Sequence, residues 1–235
     1  MTGGPKRFYR AACVVRGERG FEIALDGQMV RTPGRRPLVV PRELLADAIA
    51  AEWNAQGERL DARTMPLLHL AYRAIDIVGP ERSGTVASIA GFARADLLCY
   101  WAEAPPDLVA RQRASWQPLL DWAAGRFGAA LAPTKGVVFI EQAPSALAAY
   151  RAAVDRYDDM MLAGLAQATE TLGSLVLGLA LSEGRIDAGE AIALSALDEI
   201  HQTERWGEDS DALRRRKAME HDVLSAARFM ALARA

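Results

Sequence analysis

The sequence predicts an α+β fold, with a small antiparallel β-rich domain at the N-terminus and a mainly helical bundle behind it. Three observations carry that expectation. Between Arg7 and Val40 the apolar residues come in short or alternating runs broken by glycine-bearing turns. After Pro41 the apolar spacing changes from every second residue to every third and fourth, the change of period that separates a pleated strand from a helix. From there on nearly every segment keeps the helical spacing.

The strands come first. Phe8, Ala11, Cys13 and Val15, then Phe21, Ile23 and Leu25, then Met29, Val30 and Leu38 to Val40 are separated by residues 17–20, by Asp26-Gly27 and by Pro33-Gly34. Asp-Gly between such runs marks a hairpin, because glycine accepts the positive φ of a tight turn. Three or four short strands are marginal alone, so the sheet must lean on a helix. Leu44, Leu45, Ala48, Ile49, Glu52, Trp53 and Gln56 supply one, entered through Pro41 and ended at Gly57. A second helix follows Thr64, with Pro66 in its first turn, Leu67, Leu68, Ala71, Ile75 and Val78 on one face, and Gly79-Pro80 to stop it.

Residues 86–101, 108–127, 145–157, 158–183, 187–206 and 210–233 are expected as helices. Lys135 to Gln142 is expected as a strand, since Val137, Val138, Phe139 and Ile140 are β-branched or aromatic. Gly164, Ala168, Gly173, Gly178 and Ala180 are expected to let neighbouring helices approach closely. The expected boundary falls near Asp61 to Met65, giving domains 1–63 and 64–235.

Composition excludes several classes. The 235 residues are 51% hydrophobic and 25% charged, the ordinary globular balance. A net charge of -2 gives no whole-chain field favouring nucleic acid or anionic lipid. Cys13 and Cys99 are two, far apart and in apolar surroundings, and read as small buried hydrophobes of a reducing compartment. Met1 to Arg10 carries no signal-like apolar stretch, which points to the cytoplasm. The run from Leu172 to Leu181 is too short to span a bilayer, so membrane insertion is not expected.

Candidate chemistry is sparse. No phosphate-cradling glycine loop is present, and His69, His201 and His221 lack the spacing of a metal set, so neither cofactor nor metal is expected. His69, among leucines, reads as a core or helix-end residue. The densest polar cluster is Asp198, Glu199, His201, Gln202, Arg205, Trp206, Glu208 and Asp209. Asp198, His201, Gln202 and Arg205 share one helix face. A carboxylate beside an imidazole could serve as an acid/base pair, so a small-molecule enzyme around Asp198, Glu199 and His201 is the alternative reading. Against it, no nucleophile or oxyanion-holding turn accompanies the pair. Glu199, Gln202, Thr203 and Trp206 lie toward another side and suit a protein-binding surface. Arg35-Arg36 and Arg214 to Lys217 raise a nucleic-acid reading, but interleaved acids make the latter run self-compensating. The five tryptophans sit at apolar-face positions, with Trp206 the one expected to be half buried.

The ordered set of motifs is more informative. Arg7-Phe8-Tyr9, Leu25-Asp26-Gly27 with Thr32-Pro33, Leu38-Val39-Val40-Pro41, Glu52-Trp53 with Gln56, and Thr64-Met65-Pro66-Leu67 occur in sequence. Asp96-Leu97-Leu98-Cys99-Tyr100, Arg111-Gln112 with Trp116 and Pro118-Leu119-Leu120, Gly173-Ser174-Leu175, and Leu197-Asp198-Glu199 with Gln202, Trp206 and Gly207 follow. From about Arg7 to about Leu232 this resembles the assembly-chaperone family that attends the alpha subunit of the F-one head of ATP synthase, in mitochondria and some bacteria.

That resemblance implies a β-rich N-terminal domain joined to an orthogonal helical bundle. It also implies a non-enzymatic chaperone, which binds the free alpha subunit and shields its subunit interface until a beta subunit replaces it. The resemblance places importance on acidic positions of the C-terminal helices, here Asp198, Glu199 and Glu208, with Gln202 and Trp206 beside them as client contacts. Trp53, Glu52, Asp96 and Gly173 match family motifs and are expected to be structural. A monomer is the expected state, and the absence of a mitochondrial targeting extension points to a bacterial, cytoplasmic protein.

Overall fold

The computed structural model describes residues 4–207 and 210–235. The fold is α+β, an antiparallel sheet at the N-terminus followed by helices. By internal contacts the chain forms two compact units. One holds the chain up to Arg82 together with Asp158–Gly164 and Arg228–Ala235, and the other holds Ser83–Tyr157 and Leu165–Ala227.

In the first unit β1 (Ala12–Gly17) and β2 (Gly20–Leu25) form an antiparallel hairpin in which Ala12 faces Leu25 and Gly17 faces Gly20. Asp26 and Gly27, with φ of 46° and 86°, turn the chain into β3 (Gln28–Met29). Positive φ at both turn positions is what a two-residue hairpin requires. Asp26 also accepts hydrogen bonds from the amides of Ala11 (3.0 Å) and Arg10 (2.9 Å), which hold its carboxyl below the usual range. β4 (Val39–Val40) pairs with the first half of β2.

Helix α1 (Glu43–Asn54) packs on β1 and β2 and buries Leu45, Ile49 and Trp53 with Ile23, Leu38 and Val40. Asn54 at its end clasps Ala12, accepting from its amide and donating to its carbonyl, both at 2.8 Å. Ala12 is buried, and Cys13 next to it points the other way, since neighbouring strand residues face opposite sides. Cys13 is therefore exposed, contrary to its reading as a buried hydrophobe, whereas Cys99 is buried. Glu52 is buried, and its two carboxylate oxygens accept from the amides of Leu67 and Leu68, each at 2.9 Å. These are otherwise unpaired donors at the start of α2 (Pro66–Arg73), so one side chain of α1 caps the next helix. The chain continues as a π-helical turn over Ala74–Val78.

Beyond Arg82 the chain departs from expectation at four places. Residues 86–101 are not one helix: α3 (Arg82–Gly91) gives way to short 3-10 turns and then β5 (Tyr100–Trp101). The segment from Lys135 to Gln142 is not a strand. Only β6 (Thr134–Lys135) pairs, in parallel with β5, and Val137, Val138 and Phe139 run on as exposed coil. The expected helix over 158–183 is two, α6 (Asp159–Leu172) and α7 (Leu175–Ser182). Gly173 takes φ of 66° between them, and the Ser174 hydroxyl accepts from the Leu177 amide at 3.0 Å to cap α7. Gly173 has open space where a Cβ would stand, so its role is conformational, whereas Gly178 lies so close to α6 that a Cβ would clash with Thr169 Oγ1. Residues 187–206 also divide, into α8 (Ala188–Ser195), entered through a capping box of Asp187 and Glu190, and α9 (Leu197–Trp206), which starts at Ala196 without a side-chain cap. The remaining helices are α4 (Pro106–Phe127), α5 (Pro144–Val154) and α10 (Ser210–Arg234).

Asp96 ties separate segments of the second unit together. Its fully buried carboxyl accepts from the Ser174 hydroxyl (2.7 Å), the Val176 amide (3.0 Å) and the Leu98 amide (3.1 Å). Burial nevertheless outweighs those donors and pushes the carboxyl pKa up.

Candidate functional site

Helix α9 is amphipathic, and its two faces do different work. The inward face is tied to α4 by four polar contacts. Gln112, fully buried, accepts from the Ala102 amide and donates to Asp198 Oδ1, both at 2.7 Å. Asp107, in the first turn of α4, meets His201 Nε2 at 3.1 Å and the Arg205 guanidinium at 2.6 Å. Arg111 pairs with Glu204 at 2.9 Å. The His201 contact, first, and the Arg205 charge hold Asp107 below the usual carboxylate range. An ionised carboxylate only accepts, so the proton of this bond sits on His201 Nε2. Trp116, deep in α4, adds an indole hydrogen bond to the Leu194 carbonyl at 3.0 Å, just ahead of α9.

The outward face carries Glu199, Gln202, half-buried Thr203 and Trp206, spaced by three and four residues as one helix face requires. The Thr203 hydroxyl donates back to the Glu199 carbonyl at 2.8 Å. Neither the Glu199 carboxylate nor the Gln202 amide has a side-chain partner among the described residues. Trp206 is 80% exposed, well beyond the half burial expected from its position. Trp206 is the last residue of α9, which ends at Gly207 with φ of 86°. An indole left in water at the end of an anchored helix is a poor core residue and a good interface anchor.

The expected site residues thus separate. Glu199, Gln202 and Trp206 share the outward face, Asp198 is half-buried and engaged on Gln112, and Glu208 lies outside the described residues. Asp198, Glu199 and His201 do not converge: the first faces Gln112, the second faces solvent, and the third is buried on Asp107. Trp53 packs edge-to-face on Tyr9, whose hydroxyl donates to the Trp53 carbonyl at 2.7 Å. His69 is exposed and edge-on to Tyr72, a correction to its reading as a core or helix-end residue. Its side of α2 leaves the packed face that Leu67, Leu68 and Ala71 form. Arg36 donates to the Ile75 carbonyl, and Arg214 pairs with Asp211. No group of three potential metal ligands gathers among the described residues, and no described helix is long and apolar enough to cross a membrane.

Sequence reasoning missed Asp107 as the partner of His201 and Arg205. Its one local signal is a carboxylate placed just after Pro105-Pro106 at a helix start.

Comparison with known proteins adds the following. A family model described as ATP12 chaperone protein matches residues 6–124. The mitochondrial protein atp12 of Schizosaccharomyces pombe is 25% identical over 202 residues, covering 81% of this chain and 69% of the relative. The crystal structure of Atp12 from Paracoccus denitrificans is similar with a TM-score of 0.93 and 40% identity, over 97% of this chain and 98% of that one. An aspartate-to-lysine mutant of the same protein matches equally well, with 97% of each chain covered. A protein of Agrobacterium tumefaciens gives a TM-score of 0.93 and 40% identity, over 97% of this chain and 86% of that one.

Proposed function

The chain belongs to the ATP12 chaperone family, chaperones of ATP synthase assembly, and from that premise we propose that it binds the free alpha subunit of the F-one head through the outward face of α9. It shields the subunit's assembly interface until the beta subunit takes its place. It acts without enzymatic turnover, as a monomer, in the cytoplasm of a bacterium. The observation that carries the reading is Trp206, 80% exposed at the end of a helix whose other face is anchored.

The physics favours such a surface. An unassembled subunit of a ring exposes more apolar area than a soluble monomer tolerates, and an aromatic anchor covers part of it. Glu199, on the same face of α9 as the indole, adds charge selectivity. Because the chaperone must leave, a small anchored face serves better than a large interface.

The experiment is a pull-down of alpha subunit by the tagged chain, with Glu199→Lys and Trp206→Ala as variants. Wild type is expected to retain the alpha subunit, and each folded variant to lose most of it. Equal capture by wild type and both variants would remove α9 from the interface. No capture by wild type would remove the client.

A further inference from the structure

The first unit holds a cleft that the α9 surface does not use. Its volume is about 610 Å3, inside the range of ligand-binding pockets. The segment beginning at Gly4 runs antiparallel along the chain before Asp61: the Leu60 amide donates to the Pro5 carbonyl (2.9 Å) and the Arg7 amide to the Glu58 carbonyl (2.8 Å). Gly4 approaches Leu60 so closely that a Cβ would meet its carbonyl oxygen. Buried Trp53, Met65 and Leu68 form an apolar floor. His69 and half-buried Tyr72 stand edge-to-face at 6.1 Å as one wall.

The polar groups are unevenly matched. Two guanidiniums, Arg59 and Arg63, line the cleft against one carboxylate, Asp61. Asp61 is already taken by Arg63 in a two-pronged contact at 2.9 and 2.7 Å. Arg59 donates only to the Gly4 carbonyl, at 3.0 Å, and has no carboxylate partner among the described residues. The Tyr72 hydroxyl bonds no other group among the described residues, and burial pushes its pKa up to about 12, so it stays a donor at neutral pH. The cleft therefore offers an apolar floor, an unpaired cation and a phenol donor, the complement of a carboxylate beside a large apolar side chain.

We propose that this cleft is a peptide-binding site taking an extended segment in which an acidic residue adjoins a large apolar one, contributed by the client. The source of the segment rests on the chaperone reading above; the chemistry of the cleft does not. Arg59 receives the carboxylate, Tyr72 donates to it or to the adjoining carbonyl, and the apolar side chain enters over Met65 and Leu68.

The test titrates the full-length 15N-labelled chain with a terminally blocked Leu-Phe-Asp-Glu peptide. Its Leu-Phe-Asn-Gln counterpart and inorganic phosphate serve as controls. The acidic peptide is expected to shift the Trp53 indole and the amides of residues 59–72, and to bind about tenfold tighter than the amide peptide. Arg59→Glu should abolish that preference. Tyr72→Phe, which keeps the ring and hence the fold, should weaken binding severalfold. No shift at these residues, equal binding of both peptides, or an equal response to phosphate would overturn the site. Peptide binding without capture of alpha subunit by wild type would leave the cleft and overturn the client. Capture without peptide binding would overturn the cleft alone.

Discussion

Asp107 accepts from His201 across 94 residues of sequence, and this single carboxylate, shared with Arg205, holds the middle and end of α9 on α4. The pH dependence follows from its lowered pKa. A depressed carboxyl contributes stability above the unfolded value, about 3.9, and loses it as pH falls through the folded one. Amide protection in α9 is therefore expected to persist to about pH 4 and to drop below it. Asp107→Asn should lower α9 protection at neutral pH and remove the acid step. Protection factors from hydrogen exchange decide it, and an unchanged α9 in the variant would sink the tether.

Asp96 should behave in the opposite sense. Its pKa is raised by burial, so its contribution is complete below about pH 3.9 and declines as pH rises toward the folded value. Asp96→Asn has one acceptor oxygen where two now serve Ser174, Val176 and Leu98. Leaving buried donors unpaired should cost about 2 kcal/mol. Urea midpoints measured from acid to neutral pH should show a lower plateau for the variant and a flatter pH profile.

Trp206→Ala should leave stability within about 0.5 kcal/mol of wild type, because the side chain is exposed. Under the proposed function, capture of the client should nonetheless fall steeply. Thermal melts alongside the pull-down separate the two effects, and a large loss of stability would show that the indole packs in the folded chain.

Two glycines in helices should respond with opposite signs. Gly178→Ala drives a methyl against Thr169 on α6 and should destabilise by about 1 to 3 kcal/mol. Gly125→Ala, inside α4 with open space at its Cβ, should stabilise by about 0.5 to 1 kcal/mol. Denaturant midpoints of the pair provide the measurement.

Much of this fold was legible because its signals are local. Asp26-Gly27, Pro41 and Pro66 announced the hairpin and two helix entries that the structure contains. The breaks at Gly173 and Ala196 were hidden inside continuous apolar periodicity, and the break at Gly173 is sealed by Asp96, 78 residues from Ser174. The segment at Val137 has strand propensity without a strand to pair with, since propensity describes a side chain and not a partner. At the site, the composition of α9 showed a charged helix. Which charges face inward depended on Asp107 and Gln112, and one sequence carries no record of such pairings.

The exposed coil of Val137, Val138 and Phe139 makes the chain an expected substrate for proteolytic nicking, because a protease cleft accepts an extended, unpaired and accessible stretch. An enzyme that cleaves after aromatic residues should cut behind Phe139. The Gln142 amide grips both the Ala132 amide (2.8 Å) and carbonyl (3.0 Å), closing the loop around the cut. The two fragments should stay joined under native conditions and part only in denaturant.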